Sequence, residues 1–196
     1  MGHCPYFLTR RDGQNYRSSL RNVRFEGSSE VRIVPQRVGG IAWISEKCLE
    51  SIIAEARRCF PLETGGVLMG YWTPTKVEVV ITRSIGPGPA STHTESTFEP
   101  DTAYQQDQIN RIYAESNRIY TYLGDWHSHP RLAEGLSPRD KRTLRMIATD
   151  RRARAPSPIV GILTKRHTWN LILWQGSIQR LTCRLVVTRL HLRRFL

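Results

Sequence analysis

The chain has 196 residues, enough for one domain with a sizeable hydrophobic core and short for two. It carries 29 Lys and Arg, 25 of them Arg, against 17 Asp and Glu, a formal charge of +12. No apolar run is long enough to span a bilayer, and the opening MGHCPYFLTRRDGQNYR lacks the apolar stretch of a secretory signal. Tyr6 stands where a myristoylation signal needs Ser or Thr. Cys4, Cys48, Cys59 and Cys183 are scattered without CxxC spacing and read as free thiols in a reducing compartment. These features predict a cytoplasmic protein with no membrane partner. The arginines concentrate in residues 10–37, 139–154 and 180–194. That pattern admits a nucleic-acid partner, but only Tyr16 and Phe25 interleave as stacking on single strands would require. Nucleic acid is therefore the less favoured reading, and genome composition alone can produce Arg in place of Lys.

Residues 1–38 read as a basic, weakly structured arm, polar and rich in Ser, Asn and Gly. Two short apolar runs, VRIV and GGIAWI, are strand-like. SEKCLESIIAEARRCF predicts an amphipathic helix capped by Ser45, with Cys48, Leu49, Ile52, Ile53, Ala56, Cys59 and Phe60 on one face and Pro61 as its stop. ETGGVLMGYW and KVEVVITRSIG predict strands of a hairpin about a TPT turn, with Val77, Val79 and Ile81 alternating. Residues 83–101 form a long Pro/Gly/Ser/Thr loop of a length that suggests function. A helix follows from Asp101 to Ile119, with Tyr104, Ile109, Ile112, Tyr113 and Ile119 apolar. YTYLGDWHSH is a strand, RLAEGL a loop and SPRDKRTLRMIATD a helix. PIVGILTK, HTWNLILWQ and IQRLTCRLVV are three further strands, with Gly176-Ser177 as the turn between the last two. Helices mixed with antiparallel strands around one core predict an α+β domain of the three-layer α/β/α kind.

HSHPRLAEGLSPRD, residues 127–140, holds the densest chemistry. His127 and His129 alternate on one strand, so both imidazoles face the same side. Pro130 ends that strand. Ser137, Pro138 and Asp140 suit a helix N-terminus without any further role. They also place Ser137 and Asp140 on one helical face, which a short loop can return to the histidines. Two imidazoles and a carboxylate then make the ligand set of an open zinc site. A hydrolase built on it needs a general base, and Glu63, between the helix stop and the Gly65-Gly66 strand start, is the candidate. Asp125 shares the strand phase of the histidines and is a candidate partner for an imidazole N–H. Trp126 lies in the opposite phase and reads as core. His93, in the long loop, reads as a solvated polar residue rather than a ligand.

Glu63 within ETGGVLMG, then His127, His129, Pro130, Ser137 and Asp140, resembles the JAB/JAMM (MPN+) metalloprotease family over roughly residues 40–175. The resemblance implies a JAB/MPN-like, cytidine-deaminase-like fold, a curved and mostly antiparallel sheet flanked by helices. It implies one Zn2+ per chain on His127, His129 and Asp140, with Glu63 as base and Ser137 donating to the developing oxyanion. The domain is then expected at 39–177, followed by a C-terminal strand and basic tail at 178–196. GDWHSHP, LSPRD and the GPGP…FEPD loop look most like small bacterial members found beside ubiquitin-activating and ubiquitin-conjugating-like enzymes. Those members belong to antiphage (CBASS-type) systems built around a cGAS-like nucleotidyltransferase. The resemblance therefore implies deconjugation of a protein carrying an isopeptide bond, with the loop of Gly86, Pro87, Gly88 and Phe98 cradling the substrate tail. Rival readings are a peptidase or amidase acting on a sulfur-carrier protein or small peptide, and a nucleic-acid-associated protein using its basic ends.

Overall fold

A computed structural model describes residues 39–130, 135–179 and 181–196. The VRIV run and most of the RLAEGL loop lie outside these residues. In chain order the elements are β1 (Ile41–Ser45), α1 (Glu46–Cys59), β2 (Gly65–Trp72), β3 (Val79–Ile85), β4 (Thr92–His93), β5 (Phe98–Glu99), α2 (Thr102–Glu115), β6 (Thr121–His129), α3 (Pro138–Thr149), β7 (Ile159–Lys165), β8 (Trp169–Ile178), β9 (Leu185–Arg189) and β10 (His191–Phe195), with a single 3-10 turn at Arg151–Ala153.

Eight strands form one mixed sheet in the order β10-β1-β3-β2-β6-β7-β8-β9, and β4 pairs with β5 in a separate hairpin. Four of its seven neighbour pairings are antiparallel, while β10–β1, β1–β3 and β6–β7 are parallel. The two edge strands, β9 and β10, are joined through Leu190 alone. Laid flat, seven inter-strand steps would separate those edges by roughly 34 Å. One residue bridges about 3.8 Å per Cα step. The sheet therefore curls until its edges meet. The seam is tied by Gly39 N–H to Arg189 O (3.2 Å), Leu190 N–H to Leu173 O (2.9 Å) and His191 N–H to Gly40 O (3.1 Å).

The curl encloses α1. Ser45 caps it, accepting from Cys48 N–H at 3.2 Å. Cys48, Leu49, Ile52 and Ala56 pack with Ala42, Ile44, Leu68, Ile81, Leu123, Trp126, Leu163, Leu173 and Leu190 in the main core. On the other face, Ile109 and Ile112 of α2 cover Val67, Met69 and Ile85, and Leu144 of α3 covers Val160 and Ile162. Strand alternation thus feeds three layers: Leu68 points to α1, Val67 and Met69 to α2.

Three expectations shift. The helix after Asp101 ends at Glu115, because Asn117 and Arg118 take left-handed φ of 51° and 66°. Val77 is 61% exposed and precedes its strand. Gly176-Ser177 is not a turn but part of β8, paired with Val187 and Val186; the chain has reversed by Arg184, with Gln179 N–H donating to Arg184 O and Cys183 N–H to Gln179 O. Gly176 serves packing there: an added Cβ would press on Leu144 and Leu185 at 3.2–3.4 Å. Beyond Ile178 the chain adds two strands, β9 and β10, to the sheet. Among the described residues, no helix is long and apolar enough to cross a membrane. Cys48, Cys59 and Cys183 are free.

Candidate metal centre

The site lies on the outer face of the sheet, where β6 meets the start of α3. The register of β6 is set by a bulge: Leu68 of β2 pairs with Gly124, but Met69 pairs with Tyr122. Gly124 has φ of +147°, and a side chain there would collide with the Ile159 backbone. The irregularity lets Leu123 and Trp126, three apart, both enter the main core. Alternation from Trp126 then sends Asp125, His127 and His129 outward.

α3 supplies the carboxylate through its own cap. Ser137 Oγ accepts from Asp140 N–H at 3.2 Å, and Asp140 Oδ2 accepts from Ser137 N–H at 2.7 Å, a reciprocal capping box. That second bond fixes the carboxylate and leaves Oδ1 facing β6. The helix-start residues and the site residues are thus the same atoms in two roles.

His127 Nε2 lies 2.9 Å from His129 Nε2 and 3.4 Å from Asp140 Oδ1. The donor atoms of all three residues fall within 4.8 Å of one another. A tetrahedron with bonds of about 2.1 Å has edges of about 3.4 Å, so the spacing suits a small cation. Burial pushes the His127 imidazolium down to about pKa 4, although the Asp140 charge raises it; the charges of His129 and Arg139 lower it further. A ring held neutral with its lone pair beside a second nitrogen and a carboxylate oxygen is the state a metal ligand needs. The donor set and its protonation fit a resident metal.

Glu63 stands just before β2, half-buried. Burial raises its carboxyl above the ordinary value; the charge of His129 draws it down, Asp140 raises it and Arg139 lowers it. The backbone places it: Thr64 O accepts the Ser128 N–H, between the two histidines, so Glu63 stands alongside the end of β6 at the rim of the same centre. Its main chain is held by the β4–β5 hairpin: Glu63 N–H donates to Thr94 O at 2.7 Å, and His93 Nδ1 donates to Glu63 O at 2.8 Å. Thr64, fully buried, donates its N–H to Ser128 Oγ (3.0 Å) and accepts from Ser128 N–H (2.7 Å), while its hydroxyl donates to Glu55 Oε1 at 3.2 Å.

The other expected residues fall as follows. Asp125 faces outward, but its carboxylate accepts the Tyr122 hydroxyl at 2.9 Å, and burial raises it to about pKa 6. Trp126 is core, 1% exposed. Gly86 O accepts from the fully buried Gln105 side chain at 2.8 Å, Pro87 O accepts from Asp101 N–H at 2.8 Å, and Gly88 packs on Asp101 and Tyr104. These three bolt the loop to α2. Phe98 lies over Gly65, where any side chain would collide with its ring and with the Trp126 carbonyl. Gly65 pairs with His127, so Phe98 borders the site on the face of the ligands. His93 is not solvated: it is half-buried, bonded at both ring nitrogens and stacked on Phe98 at 6.2 Å. His93, Thr94, Ser128 and Glu55 carry no local sequence signal, because each acts through a contact distant along the chain.

Residues 45–178 match the family described as prokaryotic homologs of the JAB domain. The chain is 39% identical over 142 residues to a protein of Sinorhizobium fredii named a probable metalloprotease (y4qB), covering 71% of this chain and 86% of that one. It is 32% identical over 68 residues to a CD-NTase/cGAS isopeptidase of Escherichia coli, covering 35% of this chain and 42% of that one. Its fold resembles the solution structure of protein DSY2949 from Desulfitobacterium hafniense, with a TM-score of 0.58 at 19% identity, over 79% of this chain and 93% of that one. The curled sheet, the His-His-Asp cluster and these likenesses converge: the chain belongs to the prokaryotic JAB-domain family and is a hydrolase of the JAB metalloprotease type.

Proposed function

We propose that this protein is a zinc-dependent isopeptidase that releases a ubiquitin-like or otherwise C-terminally conjugated protein from its partner. The observation that carries the proposal is the meeting of His127 Nε2, His129 Nε2 and Asp140 Oδ1 within 4.8 Å, with Glu63 beside them. His127, His129 and Asp140 would hold the zinc. Bound there, zinc supplies Lewis-acid chemistry, bringing the pKa of water from about 16 toward about 7.

Glu63 takes a proton from the attacking water and returns it to the departing amine. In the metal-free protein, burial raises its carboxyl above the ordinary value. Ser137 Oγ accepts from Asp140 N–H, so its own proton is free to donate to the carbonyl oxygen as negative charge develops there. The loop of residues 83–101, with Gly86, Pro87 and Gly88 tied to α2, Phe98 over Gly65 on the ligand face and Thr94 held by the Glu63 N–H, is the cradle for an extended substrate tail.

The deconjugating specificity is supported by likeness to a protein named for isopeptidase action in a CD-NTase/cGAS setting. On that reading the partners are a protein conjugate, a cGAS-like nucleotidyltransferase and ubiquitin-activating or conjugating-like enzymes in antiphage defence, and the site of action is the cytoplasm. The test is a substrate trap. Glu63→Ala is expressed in the host, isolated, and its bound material read by mass spectrometry. A branched peptide, with one protein's C-terminus on another's Lys, is the expected capture. Linear peptides alone would move the assignment to a peptidase.

A further inference from the structure

Glu63 precedes β2 and belongs to no sheet ladder, so its two peptide groups need partners from elsewhere. Both come from consecutive residues of the β4–β5 hairpin. Thr94 offers a carbonyl, which satisfies the Glu63 N–H at 2.7 Å. The Glu63 carbonyl then needs a donor, and the imidazole of His93 supplies it at 2.8 Å. A carbonyl only accepts, so Nδ1 carries the proton of this bond.

The ring is itself held. Nε2 meets Ser91 Oγ at 2.9 Å, Ser91 Oγ donates to Gly88 O at 2.6 Å, and Phe98 stacks on the ring at an interplanar angle of 16°. The loop behind it is fixed to α2 through Gln105 and Asp101. On the far side of Glu63, Thr64 is locked to Ser128 and Glu55. The Glu63–Thr64 peptide plane is thus held from both edges, Ser128 Oγ taking the Thr64 N–H and His93 taking the Glu63 carbonyl, and His93 is the anchor on the Glu63 side.

We propose that His93 is a positioning residue for Glu63: its Nδ1–H pins the Glu63 carbonyl and so aims the carboxylate at the water it deprotonates. This rests on the assignment of Glu63 as the base. A misplacement of about 1 Å at a reacting group costs roughly 100-fold in rate, so the clamp acts on turnover and not on substrate affinity. The imidazole contacts the Glu63 carbonyl, Ser91 Oγ and the Phe98 ring, none of them a member of the His-His-Asp cluster, so its loss should leave the metal ligands in place.

The test uses the full chain and three variants: His93→Ala, His93→Asn and His93→Gln. An Asn amide reaches where Nδ1 sits, whereas a Gln amide reaches where Nε2 sits. With a fluorogenic isopeptide-linked lysine substrate, His93→Ala should lose kcat by 10-fold or more with KM within 2-fold and zinc content unchanged. His93→Asn should recover most of kcat and His93→Gln should not. Amide hydrogen exchange at Thr64, whose N–H shares the peptide plane of the Glu63 carbonyl, should quicken at least 10-fold in the Ala and Gln variants and stay slow in the Asn variant. Unchanged kcat in His93→Ala, a rise in KM instead, or equal rescue by Gln and Asn would overturn the proposal. If the unmodified protein does not cleave the probe, the isopeptidase reading fails separately, and exchange at Thr64 alone decides whether His93 is the clamp.

Discussion

His127 shows how a single position serves two demands. Its ring must be neutral to bind metal, and burial achieves that in the metal-free protein by holding its pKa near 4 against an ordinary 6.5. The sign of the consequence is fixed. Between pH 6.5 and 4 the unfolded chain takes up a proton at this ring that the folded metal-free protein refuses. Stability of the metal-free form therefore falls as pH drops through that window and levels off, for this group, below it. Urea melts from pH 7 to 4.5 should show this slope, and His127→Asn should flatten it; equal slopes would contradict the burial argument. Glu63→Gln should keep the metal and lose about 100-fold to 10,000-fold in turnover, read by steady-state kinetics. The His-x-His pair, Ser137 and Asp140 were legible in the sequence because strand alternation and helix caps are local rules. His93 was not, because its partner lies 30 residues away and nothing between them announces the contact. Asp125 was legible in direction but not in partner, since the bulge at Gly124 brings Tyr122 onto its face.

Caps and turns decide the elements, and α3 is the case where a cap is also a site. Ser137→Asp keeps a side-chain oxygen suited to the N-cap while removing the donor proton. Its melting temperature should stay near that of the unmodified protein while turnover drops on the order of 100-fold, the loss of one oxyanion donor. Ser137→Ala should lose both, with about 1 kcal/mol of stability going with the cap. A Ser137→Asp protein of normal activity would remove Ser137 from the chemistry. The helix starts were readable from Ser45, Asp101 and Ser137, each of which accepts from the backbone as its residue type predicts. Gly176 was misread because a glycine that makes room for a neighbouring helix looks, in sequence, like one that turns the chain. Gln179 to Arg184 holds no Gly or Pro to mark the real reversal.

At the scale of the whole molecule, the sheet curls because its first and last strands are joined by one residue, and Leu190 is that residue. It is 4% exposed and packed in the main core although it sits between two edge strands. Leu190→Ala should cost about 2–5 kcal/mol, a fall in Tm of roughly 5–20 °C by thermal melt. A loss under 0.5 kcal/mol would mean the seam is ornamental. The mixed strand order and the closure were invisible in the sequence, because they depend on which distant strands pair. The core faces that feed them were visible as alternation and helical stripes. Little of the +12 charge bears on the described site: the ligands are one carboxylate and two imidazoles, and Arg139 is an arginine whose charge reaches them.

The central claim is that His127, His129 and Asp140 hold one metal ion and Glu63 does not. Metal content by mass spectrometry, on the protein and on His129→Ala, Asp140→Ala and Glu63→Gln, tests it directly. One zinc per chain in the unmodified protein and in Glu63→Gln, with loss from the other two, is the predicted result. Full zinc in Asp140→Ala or His129→Ala, or none in the unmodified protein after zinc reconstitution, would contradict it.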